Sequence, residues 1–343
     1  MTSSQSPSGD GDNQPGQLVP VLCLIGVVVL LSSITPVMKN IFQRSAMNVF
    51  DMTWGRVGVG FLFLAMMTAC LDWRGLRALR ARDGLQLGVV GVLGVGSYAI
   101  AAWGLMYTSV THYALLYSLL PTFTALFSCC FGKVQRNPLT WFGIPISWIG
   151  CVMAVSNGTG LHLEGFGVGD GLVLLFTLMM SAHIVLSANI VRRHGILTSN
   201  TAMFGTCAVL LSVGNMVWGT TPLQDGFSLG VIGSVCFIGV GTAGVFLLRC
   251  RSLRSLSPST VGAYHNLIPI CTIGVAHFFL GEPLTTQTIL GAIAVIAGTE
   301  LVRRAPSSRT CLTWPAWSIG KCAAPLWAVA PAALRSYSRR FQR

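Results

Sequence analysis

Two small polar clusters stand out in a chain that is otherwise almost wholly apolar. One surrounds Pro121 and holds His112, Tyr113, Tyr117 and Ser118. The other surrounds Pro269 and holds Tyr264, His265 and Asn266. Further polar residues are scattered in other apolar runs: Tyr98 with Trp103, and His183 with Ser187 and Asn189. Tyr, His and Asn in such surroundings can line a wet cavity and hydrogen-bond a solute. Histidine can also carry a proton, because its charge changes near neutral pH. The alternative for each His is a neutral ring bonded across two helices.

Arg56 is the one basic residue within an apolar segment. A charge at bilayer depth costs about 2.5 kcal/mol or more. It reads either as an anchor for a substrate anion or gate ion pair, or as a snorkelling side chain bridged to Asp51. Asp170 opens an apolar segment, where a carboxylate suits the positive end of a helix. Glu300 has Arg303 and Arg304 at helical spacing, which a surface ion pair explains.

Other chemistries lack their residues. Eleven cysteines are present, but no Cys or His pair has metal-ligand spacing. No serine elbow with a base and oxyanion donors is visible. The glycine runs, such as Gly55-x-x-Gly58-x-Gly60, lie inside apolar segments, and no GK[ST] follows them. No catalytic residue, metal or cofactor is therefore expected.

The elements that carry these residues are membrane-length. Charged residues make up 9% of the chain and apolar ones 52%, against roughly a quarter charged in soluble proteins. Ten spans are predicted: 18–38, 48–71, 85–107, 109–131, 138–156, 170–190, 198–219, 227–249, 257–280 and 284–302. With the N-terminus inside, nineteen of the 22 basic residues face the cytoplasm; Lys39 and Arg44 lie outside and Arg56 is buried. Both termini are thus predicted cytoplasmic, in a multi-pass protein of a bacterial inner membrane. The net charge of +12 is a topology signal, and no nucleic-acid partner is expected.

The spans repeat. At an offset of 148 residues, Pro121 meets Pro269, Ser109 meets Ser257, Gly96 meets Gly244, Gly143 meets Gly291 and Gly150 meets Gly298. Five spans per copy force the second copy to enter the bilayer inverted, the arrangement of many secondary transporters. The fold expected is an all-α polytopic membrane protein of ten transmembrane helices in two inverted five-helix repeats. A disordered tail covers 1–17, the repeats cover 18–156 and 170–302, a linker covers 157–169, and a basic cytoplasmic tail covers 303–343. Pro121 and Pro269 each remove a helical hydrogen bond and free the carbonyl four residues earlier, on Tyr117 and His265. Such kinks sit either at a substrate site or at a packing bend.

The pattern resembles the EamA-like branch of the drug/metabolite transporter superfamily over about 18–302. The second copy carries Ser257-Pro258-Ser259, Pro269, Gly281-Glu282, Gln287, Gly291 and Gly298; the first carries Thr108-Ser109, Pro121, Gly143 and Gly150. The first copy departs at Gly132-Lys133, so the glutamate's role carries over only to Glu282. The resemblance implies an exporter or exchanger with a central cavity. Substrate-binding residues are then expected among Tyr98, Trp103, Tyr117, His183, Tyr264, His265 and Asn266, with Arg56 and Glu282 as gate or anion anchor. The expected partners are a small-molecule substrate, the lipid bilayer and a coupling proton, in a monomer or homodimer. A lone Arg56 favours an amino-acid-like zwitterion or amphipathic compound over a nucleotide sugar. The competing readings are an organic-anion exchanger, an intramembrane hydrolase and a non-transporting receptor or scaffold.

Overall fold

The computed structural model describes residues 18–45, 47–130, 138–155, 166–218, 228–255 and 264–304. The expected terminal tails and most of the linker lie outside the described residues, as do Lys133 and the Ser257-Pro258-Ser259 motif. The described chain is all helical: α1 (Leu18–Arg44), α2 (Val49–Leu71), α3 (Trp73–Arg77), α4 (Ala81–Gly91), α5 (Tyr98–Tyr107), α6 (Val110–Tyr117), α7 (Leu120–Cys130), α8 (Pro138–Val155), α9 (Val168–His194), α10 (Ile196–Trp218), α11 (Leu229–Ser255), α12 (Leu267–Leu280) and α13 (Thr286–Arg304). Seven helices or continuous helical runs are long and apolar enough to cross a membrane: Leu18–Arg44, Val49–Leu71, Ala81–Tyr107, Val110–Phe127, Val168–Ser187, Ile196–Val217 and Leu229–Arg249. Trp141–Ala154, Leu267–Leu280 and Thr286–Val302 are shorter apolar helices.

Two expected spans are broken in the middle, and at matching places. The helix around Pro121 is interrupted by a turn at Ser118-Leu119, and that around Pro269 by a turn at Asn266. Ser118 and Asn266 are 148 residues apart. Side chains of other helices bond the backbone just before each proline. Ser181 of α9 donates to the Leu120 carbonyl at 3.2 Å, and Ser32 of α1 donates to the Ile268 carbonyl at 3.4 Å. The first helix of each copy thus supports the broken helix of the other.

Packing follows the same pairing. Helices α1 and α11 pack together, as do their counterparts α9 and α5; α2 packs on its own counterpart α10, and α8 on α13. The α8–α13 seam shows how sequence sets this distance. A Cβ on Gly143 would meet the Gly298 carbonyl at 2.6 Å, and one on Gly150 would meet the Gly291 carbonyl at 2.7 Å. Gly143 touches the counterpart of Gly150, and the reverse, so the two helices run antiparallel. Only the absence of side chains lets these backbones approach so closely.

One further irregularity places a histidine. Between α4 and α5 the helix widens into a π turn at Val92–Gly96. There His183 Nδ1–H donates to the Val90 carbonyl at 2.8 Å. A Cβ at Gly94 would collide with the His183 ring, so the glycine makes the room.

Candidate functional site

Helix α1 organises the interior. Its face Leu24, Val28, Leu31, Thr35, Lys39 and Gln43 repeats every three or four residues, one stripe of a helix. Three cavities lie along this stripe. Leu24 and Val28 line one, Leu31 and Thr35 a second, Lys39 and Gln43 a third. From Leu24 to Lys39 the helix rises about 22 Å, most of a hydrocarbon core.

The central cavity is aromatic and holds one cation. Arg56 enters from α2, its guanidinium carbon 3.8 Å from the centre of the Tyr98 ring. Its Nε donates to the Thr242 hydroxyl at 2.8 Å, and Nη1 reaches Met38 Sδ at 3.9 Å. Phe176 of α9 stacks on Tyr117 at 5.6 Å and on Tyr113 at 6.1 Å, and packs against Tyr98 at 5.6 Å. Tyr117 also meets His265, ring centres 6.1 Å apart. Those two residues are counterparts in the two copies, each four before its proline. The broken helices therefore touch where the copies meet. The free volume is about 20 Å³, room for about one water.

The third cavity is a vestibule of about 500 Å³ whose charged walls clamp one segment, Thr108–Thr111. Lys39 Nζ donates to the carbonyls of Leu105 at 2.8 Å and Thr108 at 2.7 Å, closing the end of α5. Asp170 accepts from the Thr108 hydroxyl and from the Gly167 N–H at 2.9 Å, and lies 3.3 Å from His112 Nδ1. Glu282 takes the start of α6: its carboxylate accepts from Val110 N–H at 2.7 Å, Thr111 N–H at 2.9 Å and the Thr111 hydroxyl at 2.6 Å. A carboxylate against the free N–H groups of a helix start is favoured by both hydrogen bonding and the helix dipole. Gly281 delivers it. With φ at 69°, it ends α12 in the left-handed region and turns the chain toward α6.

The first cavity, at the other end of α1, has no room for a water. It brings together Tyr264, His265 and Arg249 of α11. The Nε and Nη2 atoms of Arg249 and Nε2 of His265 are shut from solvent and have no hydrogen-bond partner among the described residues.

The expected site residues fall into distinct places. Tyr98, Tyr117 and Arg56 line the central cavity, and Tyr264 and His265 the Arg249 cavity. Asn266 instead donates to Glu300 at 3.1 Å and accepts from the Thr299 hydroxyl, tying the break to α13. His183 is buried in the packing of α9 against α4 and Phe246. Trp103 is 48% exposed on the perimeter, because its position on α5 turns away from the central cavity lined by Tyr98. Pro121 and Pro269 lie just after the two breaks. Sequence reasoning passed over Lys39 and Arg249, counting both as loop charges.

A family model supplies the remaining comparison. The EamA-like transporter family matches twice, over residues 18–156 and 167–304. The chain belongs to that family. It is a multi-pass membrane protein of a transporter family, as the resemblance implied. Among its relatives are the "Uncharacterized transporter YyaM" of Bacillus subtilis (strain 168), 25% identical over 62% of this chain and 70% of that protein. Another is the "Probable terminal-alkyne amino-acid exporter" of Streptantibioticus cattleyicolor, 26% identical over 83% of this chain and 93% of that protein. A solved crystal structure superposes with a TM-score of 0.59 at 14% identity, covering 82% of this chain and 95% of the other. That likeness concerns the fold alone.

Proposed function

We propose that this chain is a secondary transporter that exports or exchanges a small amino-acid-like zwitterion or amphipathic metabolite. The movement is alternating access: two inverted five-helix repeats rock about the broken helices and expose the central cavity to each side in turn. The observation that carries this reading is the row of three cavities along one face of α1, with the Tyr117–His265 contact between the copies beside the central one. The matched packing pairs and the antiparallel α8–α13 seam support the inversion. The central cavity, too tight for a solute, supports a moving mechanism over a fixed channel.

In this reading the Glu282, Lys39 and Asp170 contacts form an outer latch on the Thr108–Thr111 segment between α5 and α6. The distribution of Lys and Arg supports placing the vestibule outside and both termini in the cytoplasm. The aromatic walls and a single central guanidinium support a small solute of low charge. The relative named as an amino-acid exporter points the same way. His265, half-buried at the contact between the copies, is the proposed proton carrier.

Proteoliposome flux tests the reading. An amino-acid and amphipathic-drug panel is offered with and without a pH gradient. Saturable flux of at least one solute is expected, and absence of flux for every solute contradicts it. His265→Gln is expected to abolish pH-driven accumulation while sparing exchange. Unchanged accumulation removes the proton role.

A further inference from the structure

We infer that Arg249, with His265 and Tyr264, forms a carboxylate-binding subsite at the end of the pathway opposite the vestibule. This rests on the transport reading above and names the group by which the substrate is held.

Arg56 is one of the two residues, with Glu282, read from the sequence as a possible gate or anion anchor. Its guanidinium is already engaged by Thr242, Met38 and the Tyr98 ring. Arg249 is in the reverse position. Its Nε and Nη2 are both buried and find no acceptor among the described residues. Those two nitrogens form one edge of the guanidinium, the edge that grips both oxygens of a carboxylate side by side. An arginine edge withdrawn from water is costly unless an anion answers it. The cavity is too small to supply a water.

Beside it, Nε2 of His265 is likewise buried without a partner. It is a second polar atom available to an incoming ligand. One guanidinium edge and one imidazole match a single carboxylate; a phosphate dianion calls for more positive charge. The remaining wall is Leu24, Val27 and Val28 of α1 and Ile268 of α12, which suits a branched aliphatic body attached to that carboxylate. Ile268 also lines the central cavity, so the subsite adjoins it directly. The nearby Glu300 is hydrogen-bonded to Asn266. The subsite opens when α1 draws away from the segment that carries Tyr264 and His265, and the carboxylate then occupies the guanidinium edge before the solute passes to the aromatic cavity.

Thermal-shift titration of the full chain in detergent tests this directly, using isovalerate, L-leucine and L-leucinamide as probes. The two carboxylates are expected to stabilise the wild type and the amide to have no effect. Arg249→Gln is expected to weaken carboxylate binding by about 10- to 100-fold, the range for a lost charged hydrogen bond. Arg249→Lys, which keeps the charge without the fork, is expected to fall between the two and serves if the Gln variant does not fold. Equal stabilisation by acid and amide, no stabilisation by either acid, or wild-type affinity in both variants overturns the subsite. Parallel flux measurements separate the two claims. Leucine flux insensitive to both Arg249 variants removes the subsite and leaves the transporter. Carboxylate stabilisation lost in the variants, with no wild-type flux of any solute in the panel, supports the subsite and removes the transporter.

Discussion

At the vestibule end, three charged side chains converge on Thr108–Thr111, and each is answered. Lys39 has two carbonyls, Asp170 has Thr108, Gly167 and His112, and Glu282 has the start of α6. At the opposite end of α1, Arg249 Nε and Nη2 and His265 Nε2 are shut from solvent beside a cavity with no room for a water, and have no hydrogen-bond partner among the described residues. Both ends lie on the same helix face, so the difference comes from what the other helices bring. A paired charge holds an element in place. An unpaired one is a cost waiting for a partner. In the proposed mechanism, Glu282 is the latch at one end and Arg249 receives an anion at the other.

That contrast can be broken at either end. The largest effect is expected from Glu282→Ala, which removes three hydrogen bonds to a carboxylate and leaves two N–H groups at the start of α6 unanswered. Stability in detergent should fall by about 2 kcal/mol, each charged bond being worth about 1.5–3 before solvent discounts it. A thermal-unfolding curve like that of the wild type removes the latch. Next comes Tyr98→Leu. It strips the ring from the buried Arg56, and about 1–2 kcal/mol should be lost, as for a desolvated cation–π contact. No loss would mean that Thr242 and Met38 hold the guanidinium without the ring.

The opposite end should respond with the opposite sign. Arg249→Met replaces an unanswered charge with an apolar chain of similar length. The ligand-free protein should be unchanged or stabilised by about 1 kcal/mol. Destabilisation would show that Arg249 already has a partner. The smallest effect is expected from Trp103→Leu on the perimeter, under about 0.5 kcal/mol and without change in flux. Loss of transport there would return Trp103 to the pathway.

The sequence carried the breaks, because proline's effect on a helix is local and an offset of 148 residues exposes the matching position. It also carried the seam glycines and the family. What it could not carry was rotation and partnership. Trp103 and Tyr98 share a helix, yet the helix turns one inward and the other out, and no local pattern in so apolar a stretch marks the face. Asp170 and His112 stand 3.3 Å apart in space but far apart in the chain. Asp170 was legible as a residue favouring a helix start, and its grip on the Thr108 segment was not. Arg249 sits at the last turn of its span, where counting basic residues by loop assigns it to the surface. In the fold its Nε and Nη2 are shut from solvent, beside a cavity lined by α1 and by Tyr264. His183 shows the same limit, since its place depends on Gly94, a residue of a distant helix.

The central claim, that transport requires the vestibule latch to open, is tested by locking it. Ser109 and Pro283 both line the vestibule beside the Val110–Glu282 contact. Ser109→Cys and Pro283→Cys, joined by a short cleavable cross-linker in a background without other reactive cysteines, would tie α6 to the α12–α13 turn. The account predicts that flux stops on cross-linking and returns on cleavage. Full flux through the cross-linked protein would contradict it.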